Sequence, residues 1–198
     1  MKKLIAAAVV GLLSTSAFAA VPSLTNASFE DNTVGNGYAY GNVASGWSFT
    51  GGGAVSHNYT AWNGVTASGD YFAVLQTAAS ISQTFTSDVG GVYSINFDMA
   101  LRSGYNAGQV VSVTLDGNNL GTFPAASTAW GNFSTSSITL GAGAHTLSFQ
   151  GLTQDHGDTS AFIDNVSLNV SAVPEPATYG MLMAGLGLVG FVARRRKA

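Results

Sequence analysis

The chain contains no cysteine, which excludes disulfide staples, thiolate metal sites and thiol nucleophiles. Positive charge is nearly as scarce. Of seven Lys and Arg residues, six lie at the two ends, so Arg102 is the one base between Ala20 and Ala172. Nine of the ten acids fall in that same stretch, a balance of −8 that the whole-chain value of −3 hides. Such a surface repels nucleic acid and anionic lipid and favours hard cations. Catalytic signatures are missing as well: there is no Gly-x-Ser-x-Gly elbow, no His-Glu-x-x-His pair and no phosphate loop. His57, His145 and His156 do not fall at metal-ligand spacing. The acids sit mostly at turns, so the paired carboxylates of glycoside hydrolysis are not predicted. Asp155-His156-Gly157-Asp158 reads as a solvated turn. These absences argue against an enzyme.

Long apolar runs occur only at the termini. Lys2-Lys3, the run Leu4 to Leu13 and Ala17-Phe18-Ala19 form a signal peptide over residues 1–19, cut by signal peptidase after Ala19. At the other end Pro174-Glu175-Pro176 precedes an uncharged stretch over 177–193 and then Arg194-Arg195-Arg196-Lys197. The prolines stop any helix or strand that would run through them. As a helix the stretch covers roughly 25 Å, the short end of a bilayer span. Its basic end would stay cytoplasmic. The three blocks in this order, Pro174, Glu175 and Pro176, then the helix, then Arg194, Arg195 and Arg196, resemble the PEP-CTERM sorting signal of Gram-negative bacteria over residues 173–198. The resemblance implies export, an inner-membrane hold through a transmembrane helix, and processing by the membrane protease exosortase that sends the domain to the cell surface or beyond. The alternative is a C-terminal anchor that is never cut. Either way residues 20–172 work outside the cytoplasmic membrane.

That middle segment, about 150 residues, suffices for one core without covalent staples. Abundant Gly, Ser, Thr and Asn with little charge would fit a disordered chain, but eleven Phe and regular apolar alternation argue against it. Tyr93, Ile95, Phe97, Met99 and Leu101 alternate with Ser94, Asn96, Asp98, Ala100 and Arg102, which predicts a strand with its first set buried. Gly46–Phe49, Asp70–Leu75, Ile81–Phe85, Val111–Leu115, Trp130–Phe133, Ser137–Leu140, Thr146–Gln150 and Ala161–Val170 also read as strands. Asp116-Gly117-Asn118-Asn119 is a hairpin turn. Gly51 to Gly69 has little periodicity and reads as loop. With no helical period in this segment, the prediction is an all-β sandwich.

Four pieces carry a second resemblance: Asn26-Ala27-Ser28-Phe29-Glu30, Gly46-Trp47, Ile81-Ser82-Gln83-Thr84-Phe85 and Phe162-Ile163-Asp164-Asn165-Val166-Ser167-Leu168. Together they resemble the galactose-binding-like jelly roll, a fold that includes many carbohydrate-binding modules. The likeness spans nearly all of residues 20–172 and implies a jelly-roll β-sandwich. Its motifs are short and structural, and a fold does not fix a ligand.

The resemblance also implies a structural Ca2+ held by Glu30 and Asp164, with main-chain carbonyls completing an oxygen shell. By alternation Phe162, Asp164, Val166, Leu168 and Val170 share one inner face, where a carboxylate is costly unless a cation or several donors meet it. The other reading is that Asp164 caps a turn through backbone amides. For sugar, whose C–H faces stack on flat rings, Trp62, Tyr59 and Tyr105 lie in predicted loops. Arg102, Asp98 and Asn96 share a polar sheet face beside them. Arg102 then either meets ligand or pairs with Asp98. Trp47 and Trp130 read as core, and Tyr38 and Tyr40 as cover for loop backbone. The function expected is a non-enzymatic envelope or extracellular-matrix protein that binds polysaccharide. The alternative is a structural or adhesive matrix protein with no defined small ligand.

Overall fold

The computed structural model describes residues 22–105, 108–154, 157–172 and 176–195. The expected signal peptide lies outside them, as do Pro174, Glu175 and Arg196. In chain order the first six strands are β1 (Tyr38–Tyr40), β2 (Ser48–Thr50), β3 (Gly53–His57), β4 (Tyr71–Gln76), β5 (Ser80–Ser87) and β6 (Gly91–Leu101). There follow β7 (Val110–Leu115), β8 (Asn118–Pro124), β9 (Gly131–Ser134), β10 (Ile138–Leu140), β11 (Gly143–Gly151) and β12 (Ser160–Ala172), then helix α1 (Pro176–Arg195). One sheet runs β1-β3-β4-β12-β6-β10, with β9 sharing the outer edge of β6; the other runs β2-β5-β11-β7-β8. Every pairing is antiparallel. This is the expected jelly-roll sandwich.

The alternation along β6 does what its period requires. Tyr93, Ile95, Phe97, Met99 and Leu101 all enter the core between the sheets, against Val111, Val113 and Leu115 of β7 and Leu147 and Phe149 of β11. Phe97 meets Phe149 edge-on at 5.1 Å and stacks on Phe133 at 5.7 Å. The turn after β7 uses Asp116 at φ +51 and Gly117 at φ +76, the left-handed pair of a tight hairpin.

Three strands escaped the sequence reading: β1, β3 and β8. Strand β3 falls inside the stretch expected to be loop. Val55 enters the sandwich core while Ala54 packs on the opposite face. Burial on both sides erases the polar half of a strand's alternation. The closing strand also differs. A bulge lies between Asp164 and Ser167 on β12, with Asn165 at φ +49. A one-residue shift exchanges the faces of a strand. Ile163 and Val166 therefore point into the core, whereas Phe162 points outward, so the five residues expected on one face are divided.

The outer face of the seven-stranded sheet carries a second cluster: Ala54, Phe72, Val74, Ala100 and Phe162, roofed by Trp62 and Trp130. The roof is the chain from Asn58 to Asp70. It can lie this low because residue 64 is glycine: a Cβ there would sit 2.6 Å from Phe72 Cζ and 2.8 Å from Phe162 Cε2.

Helix α1 forms over the expected stretch. Leu182, Met183, Leu186, Leu188, Val189, Phe191 and Val192 are exposed on all sides of it, a pattern suited to an apolar surrounding. Among the described residues no helix is long and apolar enough to cross a membrane.

One ion pair pins the β7–β8 turn to β11. His145 is buried beside the rings of Phe85 and Tyr93. Its Nδ1 lies 2.7 Å from Asp116 Oδ2 and its Nε2 lies 3.0 Å from the Gly141 carbonyl. Both ring nitrogens face acceptors, the arrangement that an imidazolium satisfies. Burial disfavours that cation, but the Asp116 bond, the Gly141 carbonyl and the Asp116 charge outweigh it, and the His145 pKa is raised. Burial acts to raise the Asp116 pKa, but the bonds from His145 and the Thr146 amide with the His145 charge prevail, and it is lowered. A raised imidazole stabilises the fold below its unfolded pKa, and that gain fades as pH rises through the folded value. The lowered carboxyl stabilises above its unfolded pKa and loses that gain as pH falls. Melting temperature followed from about pH 5 to about pH 9 should therefore decline on the alkaline side, and His145→Gln should flatten the decline. An identical pH profile in the variant would show that the pair contributes nothing.

Candidate functional site

Two carboxylates from distant parts of the chain hold the roof in place. Glu30 Oε1 accepts the Asp70 amide at 3.0 Å and the Tyr71 amide at 2.9 Å. Gly69, at φ +78, presses on this carboxylate so closely that a Cβ would lie 2.5 Å from Cδ. Asp164 is fully buried. Its Oδ2 accepts the Thr66 hydroxyl at 2.5 Å and the Ala67 and Ser68 amides at 3.1 Å, while Oδ1 accepts the Asn165 amide at 2.7 Å. Burial pushes the Asp164 carboxyl up, and the bonds from Thr66, Asn165, Ser68 and Ala67 offset only part of that rise. Three donors meet Oδ2 and one meets Oδ1, so the capping role is present.

The same geometry bears on the expected Ca2+. Thr66 Oγ1 lies 2.5 Å from Asp164 Oδ2, 2.8 Å from the Ser68 carbonyl and 3.0 Å from the Tyr71 carbonyl, three acceptors for one hydrogen. Carboxylates and carbonyls crowded this way are hard-oxygen ligands, so the residues fit a hard cation by ligand type. Among the described residues no three His, Cys, Asp or Glu side chains gather, so the Ser68 and Tyr71 carbonyls would have to join Asp164 and Glu30 in any shell.

Held from below, the roof lays Trp62 on the sheet, only 3% exposed. Its ring meets Tyr38 at 5.8 Å and 84° and Tyr40 at 6.1 Å and 70°. Tyr38 and Tyr40, alternate residues of edge strand β1, point to the same side and meet at 85°. The rings make a corner, not a flat platform. Arg102 completes it: the guanidinium carbon lies 4.3 Å from the Trp62 centroid and 3.6 Å from the Tyr105 centroid. Arg102 Nη2 donates to the Ala61 carbonyl at 3.0 Å and Nη1 faces Asp158 Oδ1 at 3.9 Å. Asp158 also accepts from Gln76 Nε2 at 2.5 Å, and Gln76 Oε1 accepts the Tyr40 hydroxyl at 3.3 Å. Tyr38, Tyr40 and Tyr105 are 45%, 51% and 41% exposed.

Several sequence expectations change here. Trp62 and Arg102 reach the same site, but buried: the roof folds inward, so neither offers a free face. Tyr38 and Tyr40, expected merely to cover backbone, supply exposed rings; two tyrosines at i and i+2 were the missed signal. Arg102 pairs with Asp158 and not with Asp98. Asp98 lies further along β6, where it accepts from Asn132 Nδ2 at 2.9 Å and Asn165 Nδ2 at 2.8 Å. Tyr59, 82% exposed at φ +60, makes no ring contact with the corner among the described residues. Trp130, expected in the main core, instead roofs the outer cluster and donates from Nε1 to the Val65 carbonyl at 2.6 Å.

Beside the corner is an open pocket of about 310 Å³ floored by Phe162 and Trp130 and rimmed by Asn63, Thr66, Ser103 and Thr128. Its described lining holds no carboxylate and no imidazole.

Residues 172–197 match the model of the PEP-CTERM protein-sorting motif, so the chain carries that motif at its C-terminus. No curated protein matches the chain. Solved structures are similar at low identity. TmCBM61 in complex with beta-1,4-galactotriose is 17% identical, with 77% of this chain and 100% of that chain covered and a TM-score of 0.56. A cyclase from Fischerella sp. TAU is 16% identical, covering 77% of this chain and 97% of that one, with a TM-score of 0.57. At such identities the likeness establishes the fold, a jelly-roll sandwich of the kind seen in carbohydrate-binding modules.

Proposed function

We propose that this is an exported, non-catalytic protein that binds polysaccharide on the outer face of its larger sheet. The observation that carries the reading is the corner of three exposed tyrosines set around a fixed guanidinium. Ring faces take the C–H faces of sugars, while Gln76, Asp158 and the tyrosine hydroxyls lie beside them for sugar hydroxyls. The described lining of the neighbouring pocket is small, polar and aromatic side chains with no carboxylate and no imidazole, which supports a binding role over a catalytic one. The likeness to a module bound to a galactotriose agrees with this reading, and the likeness to a cyclase makes catalysis the alternative to test. Tyr38→Ala and Tyr40→Ala should each weaken binding to a retained polysaccharide about tenfold, the worth of one aromatic contact, as read by affinity electrophoresis across a glycan panel. Unchanged mobility would remove the site. Release of new reducing ends from any of the polymers would replace the binding reading with an enzymatic one.

The sorting motif supports a route: export, a membrane hold through the C-terminal helix, and exosortase cleavage that frees the domain to the surface. Alanines in place of Pro174, Glu175 and Pro176 should leave export intact and trap an uncleaved, membrane-held form. Equal mass of the mature protein before and after that change would contradict cleavage at this signal.

Calcium, if it occupies the roof anchor, is held by Asp164 and Glu30 with the Ser68 and Tyr71 carbonyls and acts as a brace. Asp164→Ala should cost about 3 to 5 kcal/mol with or without the ion, because four donors lose their acceptor. Chelation separates the cases: a cation bound only by the native state raises the melting temperature, so its removal should lower it. No change on adding chelator would leave the amides as the whole anchor.

A further inference from the structure

We infer that the aromatic corner takes electrically neutral polysaccharide and rejects acidic polymers, an inference that rests on the corner being the glycan site. An acidic sugar needs a cationic fork or a set of free amides for its carboxylate. Between Ala20 and Ala172 only Arg102 could provide the fork, and it is withdrawn from solvent, its Nε buried without a hydrogen-bond partner. Its two faces are covered by the rings of Trp62 and Tyr105, Nη2 is bonded to Ala61 and Nη1 faces Asp158. The side chain is 7% exposed. The Gln76 amide nitrogen, the next donor, is bonded to Asp158.

What the corner does present to a ligand is unfavourable to an anion. The exposed groups are ring faces, which carry the negative side of the aromatic quadrupole, and the half-exposed Asp158 carboxylate. Behind them stands a domain with a balance of −8. A carboxylated or sulfated polymer is repelled by all three. A polycationic amino sugar meets none of these penalties and is drawn to the same negative groups, so chitosan reads the charge of the domain and not the corner. An uncharged sugar gives up nothing: its C–H face meets the rings and its hydroxyls donate to Asp158.

The test uses the full-length protein in detergent. Affinity electrophoresis at about 0.15 M ionic strength, where surface charges are screened beyond about 8 Å, would compare neutral galactan, mannan, xylan and glucan with polygalacturonate and with chitosan. The expected result is retention by at least one neutral polymer, at least tenfold tighter than by polygalacturonate, and weakened by Tyr40→Ala. A second variant isolates the charge argument: Asp158→Asn leaves the guanidinium without its counter-charge and should raise polygalacturonate affinity several-fold. Polygalacturonate binding as tightly as the best neutral polymer would overturn the inference while leaving a glycan site standing. An Asp158→Asn variant with unchanged affinity for polygalacturonate would overturn its electrostatic basis. Retention by none of the six would remove the underlying site and this inference with it.

Discussion

Everything on the outer face depends on two carboxylates anchoring a stretch of chain that has little secondary structure of its own. Asp164 reaches the roof from the last strand and Glu30 from the opening turn, and between them they accept the amides of Ala67, Ser68, Asp70 and Tyr71. Burying an ionised carboxylate without donors is prohibitive, and with four donors it becomes a rigid fastening. The fastening fixes the height of the roof, the roof places Trp62, and Trp62 with Tyr105 fixes the Arg102 plane. The tyrosine corner is the end of that sequence.

Much of the sandwich was legible in the residue pattern, and the reason is physical. Strand β6 has one dry face and one wetter one, so its alternation is visible. Strand β3 is dry on both faces and β1 is three residues long, so neither offers a period to read. The site was less legible than the fold. Trp62 is conspicuous as an aromatic residue in a loop, but its burial follows from the anchoring of nearby Thr66 to Asp164, 98 positions beyond Thr66. The partner of Arg102 is hidden for a similar reason: Asp98 is near in sequence, and Asp158 arrives only when β12 pairs with β4 and β6. Local pattern predicts which side chains are interesting and not which way an irregular segment folds over a sheet.

The bulge at Asn165 joins these two levels. Without it the inward frame of β12 would run unbroken, and the fastening carboxylate and Phe162 would share the core face that the alternation implied. The displaced register puts Phe162 outside, beneath the roof, while Val166 still fills the core. A single left-handed residue thus serves both the main core and the outer cluster.

Strand β12 lies between β4 and β6 in the middle of the larger sheet, yet it is the final strand among the described residues and ends at Ala172, where the sorting-motif match begins. A polypeptide that crosses a membrane from its N-terminus delivers this strand last. Until then β4 and β6 have no partner between them, and the roof has no Asp164 to grip. The order of strands therefore leaves the larger sheet open between β4 and β6 until the end of the domain is available to close it.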